Sequence, residues 1–138
     1  MEQPTAVIVE DDLLFAEALT AFLEDLGYQV LATTDTEQGA VQVVRERRPD
    51  VVLMEVKLID GSGLDAASMI RQSSEVPIVF CTSYADDGAV QSAVQSLGNA
   101  ALVAKPFDEA EVTDFLANVV KKTGPTFAEL LLVPQPFG

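Results

Sequence analysis

A chain of 138 residues with a hydrophobic fraction of 49% has the length and composition of one folded domain with a substantial core, not of a disordered segment. Twenty-two acidic residues against eight basic ones give a formal charge of −14, a surface that repels nucleic acid and anionic lipid. The single cysteine, Cys81, excludes an intrachain disulfide, and the lack of histidine excludes every mechanism that needs imidazole. No apolar stretch approaches the roughly 18 residues needed to span a bilayer. The acidic start Met1-Glu2-Gln3-Pro4 does not read as a secretory signal, so the expectation is a cytoplasmic protein.

Strand-like and helix-like segments alternate five times. Residues 5–9 are a compact β-branched run, predicted as strand one. From Asp12 to Leu26 the apolar positions Leu14, Ala18, Ala21, Phe22 and Leu26 recur at helical spacing, and Gly27 supplies a stop. Residues 28–32 are predicted as strand two. Thr34 and Glu37 have the spacing of a capping box opening a second helix, which Pro49 closes. Residues 51–55 carry no polar side chain until Glu55, the pattern of a strand covered on both faces. Asp60-Gly61-Ser62-Gly63 is turn chemistry before a third helix that runs to about Gln72. Strand four is predicted at 77–81, a fourth helix from Asp86 to Leu97, and strand five at 101–104. Asp108 then caps a fifth helix ending at Lys121-Lys122.

This alternation predicts an α/β domain over residues 1–124, with a doubly wound five-stranded parallel sheet in the order 2-1-3-4-5, the flavodoxin-like arrangement. Four strand ends then carry the chemistry. Strand one runs into Glu10-Asp11-Asp12, strand three into Glu55, strand four into Thr82-Ser83 and strand five into Lys105-Pro106. Open α/β sheets bind ligands at that edge. Carboxylates, a hydroxyl and an ammonium gathered there suit a divalent cation and a phosphoryl group. Taken singly, an acidic pair after a strand is a helix cap, a threonine a turn residue and Lys-Pro a loop. All of them at successive strand ends point to a site. Asp12 remains a helix cap.

Four segments carry a resemblance that covers residues 5–122: Val9-Glu10-Asp11-Asp12, Pro49-Asp50-Val51-Val52-Leu53-Met54-Glu55, Val79-Phe80-Cys81-Thr82-Ser83 and Lys105-Pro106-Phe107. In this order and spacing they resemble the response-regulator receiver domains of two-component signalling. The resemblance implies a bacterial, cytoplasmic signalling protein, not an enzyme with its own small-molecule substrate. It would take a phosphoryl group from a histidine kinase or histidine phosphotransferase onto the carboxylate ending strand three. It implies Mg²⁺ held by Glu10, Asp11, the acceptor position Glu55 and the backbone carbonyl of Lys57, with Asp11 ligating directly and Glu10 acting through water. Thr82 and Lys105 would hold the phosphoryl oxygens, flanked by Ser83 and Pro106, and the Lys105-Pro106 bond is expected to be cis. Catalysis in such a site is positioning and charge neutralisation.

Three positions depart from the family pattern. The acceptor is aspartate in the family and Glu55 here, which pushes the carboxylate about 1.5 Å further out. A displacement near 1 Å can cost on the order of 100-fold in rate. Glu55 therefore reads as an engineered phosphomimetic, as the mark of a natural receiver that takes no phosphate, or as a slow acceptor. As a mimic it supplies one charge and two acceptor oxygens, fewer than phosphoaspartate. Leu102 stands where many members have an aromatic switch residue and presents no ring or phenol. Ile59 stands where proline is frequent, which predicts a looser loop before Asp60-Gly61.

Residues 125–138 form a tail in which Thr126 and Glu129 have capping-box spacing and Phe127, Leu130 and Leu131 share a helical face. That face either packs on the domain or docks on a downstream partner or a second copy. The family's usual contact face, helix four with strand five and helix five, is the other expected protein surface; neither nucleic acid nor membrane is expected as a partner. Two rival classes share the architecture. One is a Mg²⁺-dependent phosphotransferase or phosphatase for small molecules, disfavoured by short loops. The other is a flavin or nucleotide module, disfavoured by the acidic loop after strand one.

Overall fold

The computed structural model describes residues 3–123, with side chains to residue 119. The predicted tail segment at 125–138 lies outside the described residues. Five strands, β1 (Thr5–Val9), β2 (Gln29–Thr34), β3 (Val51–Met54), β4 (Ile78–Thr82) and β5 (Ala100–Ala104), alternate with five helices. These are α1 (Leu13–Asp25), α2 (Glu37–Arg47), α3 (Gly63–Arg71), α4 (Gly88–Leu97) and α5 (Glu109–Thr123). The sheet is parallel throughout in the order β2-β1-β3-β4-β5, as the alternation predicts. Among the described residues no helix is long and apolar enough to cross a membrane.

Strand alternation divides the core into two layers, because successive side chains leave a strand on opposite faces. Val7 and Val9 of β1, Val52 and Met54 of β3, and Ile78 and Phe80 of β4 pack under α2, α3 and α4. Ala6, Ile8, Val51, Leu53, Val79 and Cys81 pack on the other face with Ala16, Leu19 and Leu23 of α1 and Val112 and Leu116 of α5. Every residue of β3 is buried, which explains its unbroken apolar run. Cys81 belongs to this core, and burial pushes its thiol up to about 12.

Helix starts follow local capping chemistry. Asp12 accepts a hydrogen bond from the Phe15 N–H, Ser62 from Leu64 and Asp65, and Asp87 from Ala89 and Val90. Gly27 closes the turn after α1 at φ +95°, a conformation that favours glycine. Two local expectations are corrected. The cap of α2 is Thr36, which accepts from the Gly39 N–H, while Thr34 belongs to β2. Glu37 does not fold back on its own helix; its carboxylate accepts the Ser62 N–H at 3.0 Å, and its backbone N–H donates to Asp60 at 2.9 Å. These bonds, with a two-residue antiparallel ladder of Lys57–Leu58 against Gly61–Ser62, pin the loop that Ile59 was expected to loosen.

The apolar positions of α1, a helix as predicted, divide between core and solvent. Its buried residues are Ala16, Leu19, Phe22 and Leu23, whereas Leu14, Ala18, Ala21 and Leu26 face solvent. Both sets have helical spacing, since α1 is apolar around most of its circumference, so periodicity alone does not select which face docks. Leu19 is 1% exposed and Leu14 79%. Leu19→Ala should therefore cost about 2–5 kcal/mol in urea unfolding. Leu14→Ala should stay within about 0.5 kcal/mol of the parent.

Candidate functional site

The backbone brings the strand ends together before any side chain acts. The Glu55 N–H donates to the Val9 carbonyl at 2.9 Å, which sets the ends of β1 and β3 side by side. The Glu10 N–H donates to Thr34 at 2.8 Å, and the Lys105 N–H to the Thr82 carbonyl at 3.0 Å. Gly63 at the start of α3 lies so close beneath this edge that a Cβ there would sit 2.0 Å from the Glu55 carbonyl oxygen. The Lys105-Pro106 bond is cis.

Continued by one residue, the strand alternation sends Glu10, Glu55 and Lys105 toward the α1 and α5 side and Thr82 toward the other. The contacts follow that division. The Lys105 ammonium lies 2.9 Å from Glu10 Oε1 and 2.9 Å from Glu55 Oε1. Its third direction faces the Phe15 ring, whose centroid is 4.3 Å from Nζ. Phe107 meets Phe15 edge-on at 5.7 Å and Phe22 at 5.1 Å, so an aromatic row backs the lysine.

Glu10 is 2% exposed and Glu55 6%. Their second oxygens are also engaged. Glu10 Oε2 accepts the Asp12 N–H at 3.0 Å, and Glu55 Oε2 accepts the Val56 N–H and, at 3.2 Å, the Lys57 N–H. Glu10 Oε1 has no other hydrogen-bond partner among the described residues, so the ammonium is its whole compensation. Burial pushes the Glu10 carboxyl above the usual carboxylate range, against the lowering pull of Lys105 and the Asp12 N–H. Burial acts to lower the Lys105 ammonium, but its bonds to Glu55 and Glu10 outweigh that and hold it above 10.5.

The other predicted site residues stand apart from this triad. Asp11 is exposed and has no hydrogen bond or ion pair among the described residues. Thr82 is fully buried, and its hydroxyl accepts the Tyr84 N–H at 3.2 Å. Ser83 is exposed, as is Pro106. Lys57 places its amine 5.3 Å from the Tyr84 ring. Leu102 pairs with Phe80 in the sheet and packs half-buried on the α2, α3 and α4 side. Phe15, Phe107 and Tyr84 are the site residues to which the sequence assigned no role. Phe15 was detectable, since the third residue after a helix cap lies in the first turn, beside the strand ends.

A sequence profile of the response regulator receiver domain matches residues 6–117, and the chain belongs to that family. It is 34% identical over 116 residues to the phyllosphere-induced regulator PhyR of Methylorubrum extorquens, covering 83% of this chain and 42% of that one. The chain thus spans less than half of that regulator's length. Among solved structures it is similar to the signal receiver domain of a modulated diguanylate cyclase from Desulfovibrio desulfuricans G20, at 30% identity and TM-score 0.77, covering 88% of this chain and 96% of that one. It is also similar to the receiver domain of a sensor histidine kinase from Pseudomonas aeruginosa PAO1, at 29% identity and TM-score 0.76, covering 86% and 98%. That structure has a magnesium ion coordinated in its active-site cleft.

Magnesium takes near-octahedral oxygen coordination at about 2.0–2.1 Å and gives up water reluctantly. Here both buried carboxylates are already engaged through both oxygens, and an ammonium stands between them. No three His, Cys, Asp or Glu side chains among the described residues are grouped to share a metal. The donor set in this arrangement does not fit the ion.

Replacing Lys105 by Met leaves two buried carboxylates facing each other, which should cost at least about 2 kcal/mol at pH 7. A cation whose folded pKa is raised stabilises fully below its unfolded value of 10.5 and loses that contribution as pH climbs through the folded value. The melting-temperature advantage of the parent over Lys105→Met should therefore hold from neutral pH to about 10 and shrink above 10.5.

Proposed function

We propose that this chain is a signalling receiver of the two-component type whose acceptor position takes no stable phosphoryl group, and which acts through protein contacts. The observation that carries this reading is the complete engagement of Glu55. One oxygen is held by Lys105 and the other by two backbone N–H groups, on a side chain that is 6% exposed. An acceptor must present a free carboxylate oxygen in line with the phosphorus and must have a cation ready for the incoming charge. Glu55 offers no free oxygen while Lys105 is bound, and the ammonium that would meet the incoming charge is itself committed to Glu10 and Glu55.

The same contact gives Glu55 its role. Phosphoaspartate would recruit the strand-five lysine to a phosphoryl oxygen; Glu55 recruits Lys105 with its own oxygen. The site is thereby held in one arrangement without a phosphodonor. Partners follow from the family. A histidine kinase or histidine phosphotransferase docks near the strand ends, and a downstream protein docks on the face built by α4, β5 and α5. The charge of −14 favours partners with basic or neutral docking surfaces.

Incubation with acetyl phosphate and Mg²⁺ followed by intact mass should show no phosphorylated species. A stoichiometric gain of one phosphoryl mass refutes the reading. Glu55→Asp, which withdraws the carboxylate by one methylene, should regain phosphorylation if the remaining residues are competent. If that variant also stays unmodified, competence was lost beyond residue 55.

A further inference from the structure

We propose that the cavity between the C-terminal ends of α2 and α3 binds a small organic phosphate of the nucleoside-diphosphate class. Its volume is about 580 Å³, within the range of pockets that hold such molecules. Pro49 and Val76, which line it, stand shortly before β3 and β4, so it lies at the edge of the sheet opposite Glu55. The site is independent of what happens at that residue.

Charge is the first observation. The chain has four arginines, Arg45, Arg47, Arg48 and Arg71, and all four stand at these two helix ends. Arg45 and Arg48 line the cavity, and none of its lining residues is acidic, in a chain that carries 22 acids. A helix end carries about half a negative charge, so the dipole of α2 offsets only a fraction of the three guanidiniums beside it. Arg71 is committed to the fold, donating to the carbonyls of Ser74, Leu97, Gly98 and Asn99 at 2.8–3.3 Å. The Arg48 side chain has no hydrogen bond or ion pair among the described residues. Arg45 makes one long bond, 3.5 Å to the Met69 carbonyl. Two guanidiniums at the cavity therefore keep most of their donors.

The rest of the lining sorts into hydroxyls and an apolar floor. Ser73 and Ser74, just past α3, add two hydroxyls. Ser74 Oγ accepts the Val76 N–H at 3.1 Å, which leaves its O–H free to donate. Guanidinium forks and hydroxyls suit phosphate oxygens, with arginine binding them in bidentate fashion. Val44, Pro49, Ile70 and Val76 are buried and form the floor. Inorganic phosphate would leave that floor unused; a purine ring would cover it. A nucleic acid would carry further phosphates across an acidic surface. A diphosphate keeps its charge within about 8 Å of the arginines, one Debye length at physiological salt.

Arg48 also separates binding from folding. It holds φ 48°, a left-handed conformation that favours glycine. Arg48→Gly therefore removes the guanidinium and relieves the backbone in one change.

The full chain is titrated calorimetrically with ADP in buffer without divalent cations, and amide chemical shifts locate the site. One saturable site with a Kd below about 1 mM is expected, with shifts concentrated on residues 44–49 and 70–76. Inorganic pyrophosphate should bind at least about fivefold more weakly, because it leaves the floor exposed. Arg48→Gly should bind ADP at least about tenfold more weakly than the parent and melt no lower. If that variant does not fold, Arg45→Gln, at an exposed position of α2, carries the test with the same expected loss. Shifts centred on Glu55 and Lys105 overturn the proposal. So do unchanged affinity in the arginine variants, equal affinity for pyrophosphate and ADP, and a lack of saturable binding at millimolar ADP.

Discussion

One ammonium between two buried carboxylates is the constraint on which this site depends. Glu10 and Glu55 are placed by backbone bonds at the ends of adjacent strands, where both are largely withdrawn from bulk water. Two carboxylates in that position, with one cation between them, explain both perturbations in the triad. The acid that bears the larger burial titrates high, and the lysine that serves two acids holds its proton more firmly. Were the lysine withdrawn, the fold would have to protonate an acid, open to water or accept another cation. Stability and chemistry at this edge are therefore one question.

The sheet supplies the geometry cheaply. Alternation along β1, β3 and β5 puts three residues of complementary charge on one side and leaves Thr82 on the other. The same alternation assigns α1 to the triad's side, which is why Phe15 is the ring that meets the lysine. On the opposite side, Glu37 and Asp60 bind the start of α2 to the loop after β3. Ser62, whose N–H is held by Glu37, caps α3, and the close approach of Gly63 to Glu55 fixes the height of the acceptor peptide.

Much of this was legible in the sequence. Element order, the parallel sheet and its strand order follow from apolar runs broken by Gly, Pro and capping residues. Glu10, Glu55 and Lys105 were identifiable because each ends a strand. Three features were not legible for physical reasons. The docking face of α1 was not legible because Leu14 and Leu19 both satisfy a helical period, and only the packing partner distinguishes them. The Glu37 carboxylate was assigned to its own helix end because a capping box and a long-range bond use the same residue. The lysine as shared partner of two acids was missed because spacing reports that residues converge, not which of them neutralise one another.

A double-mutant cycle on the central contact tests this account most directly. Stabilities of the parent, Glu55→Gln, Lys105→Met and the double variant are measured by urea unfolding at pH 7. A coupling energy of about 1 kcal/mol or more, favouring the paired state, is the predicted result. Effects that add to within about 0.3–0.5 kcal/mol would mean that Glu55 and Lys105 stand near each other without holding the site together.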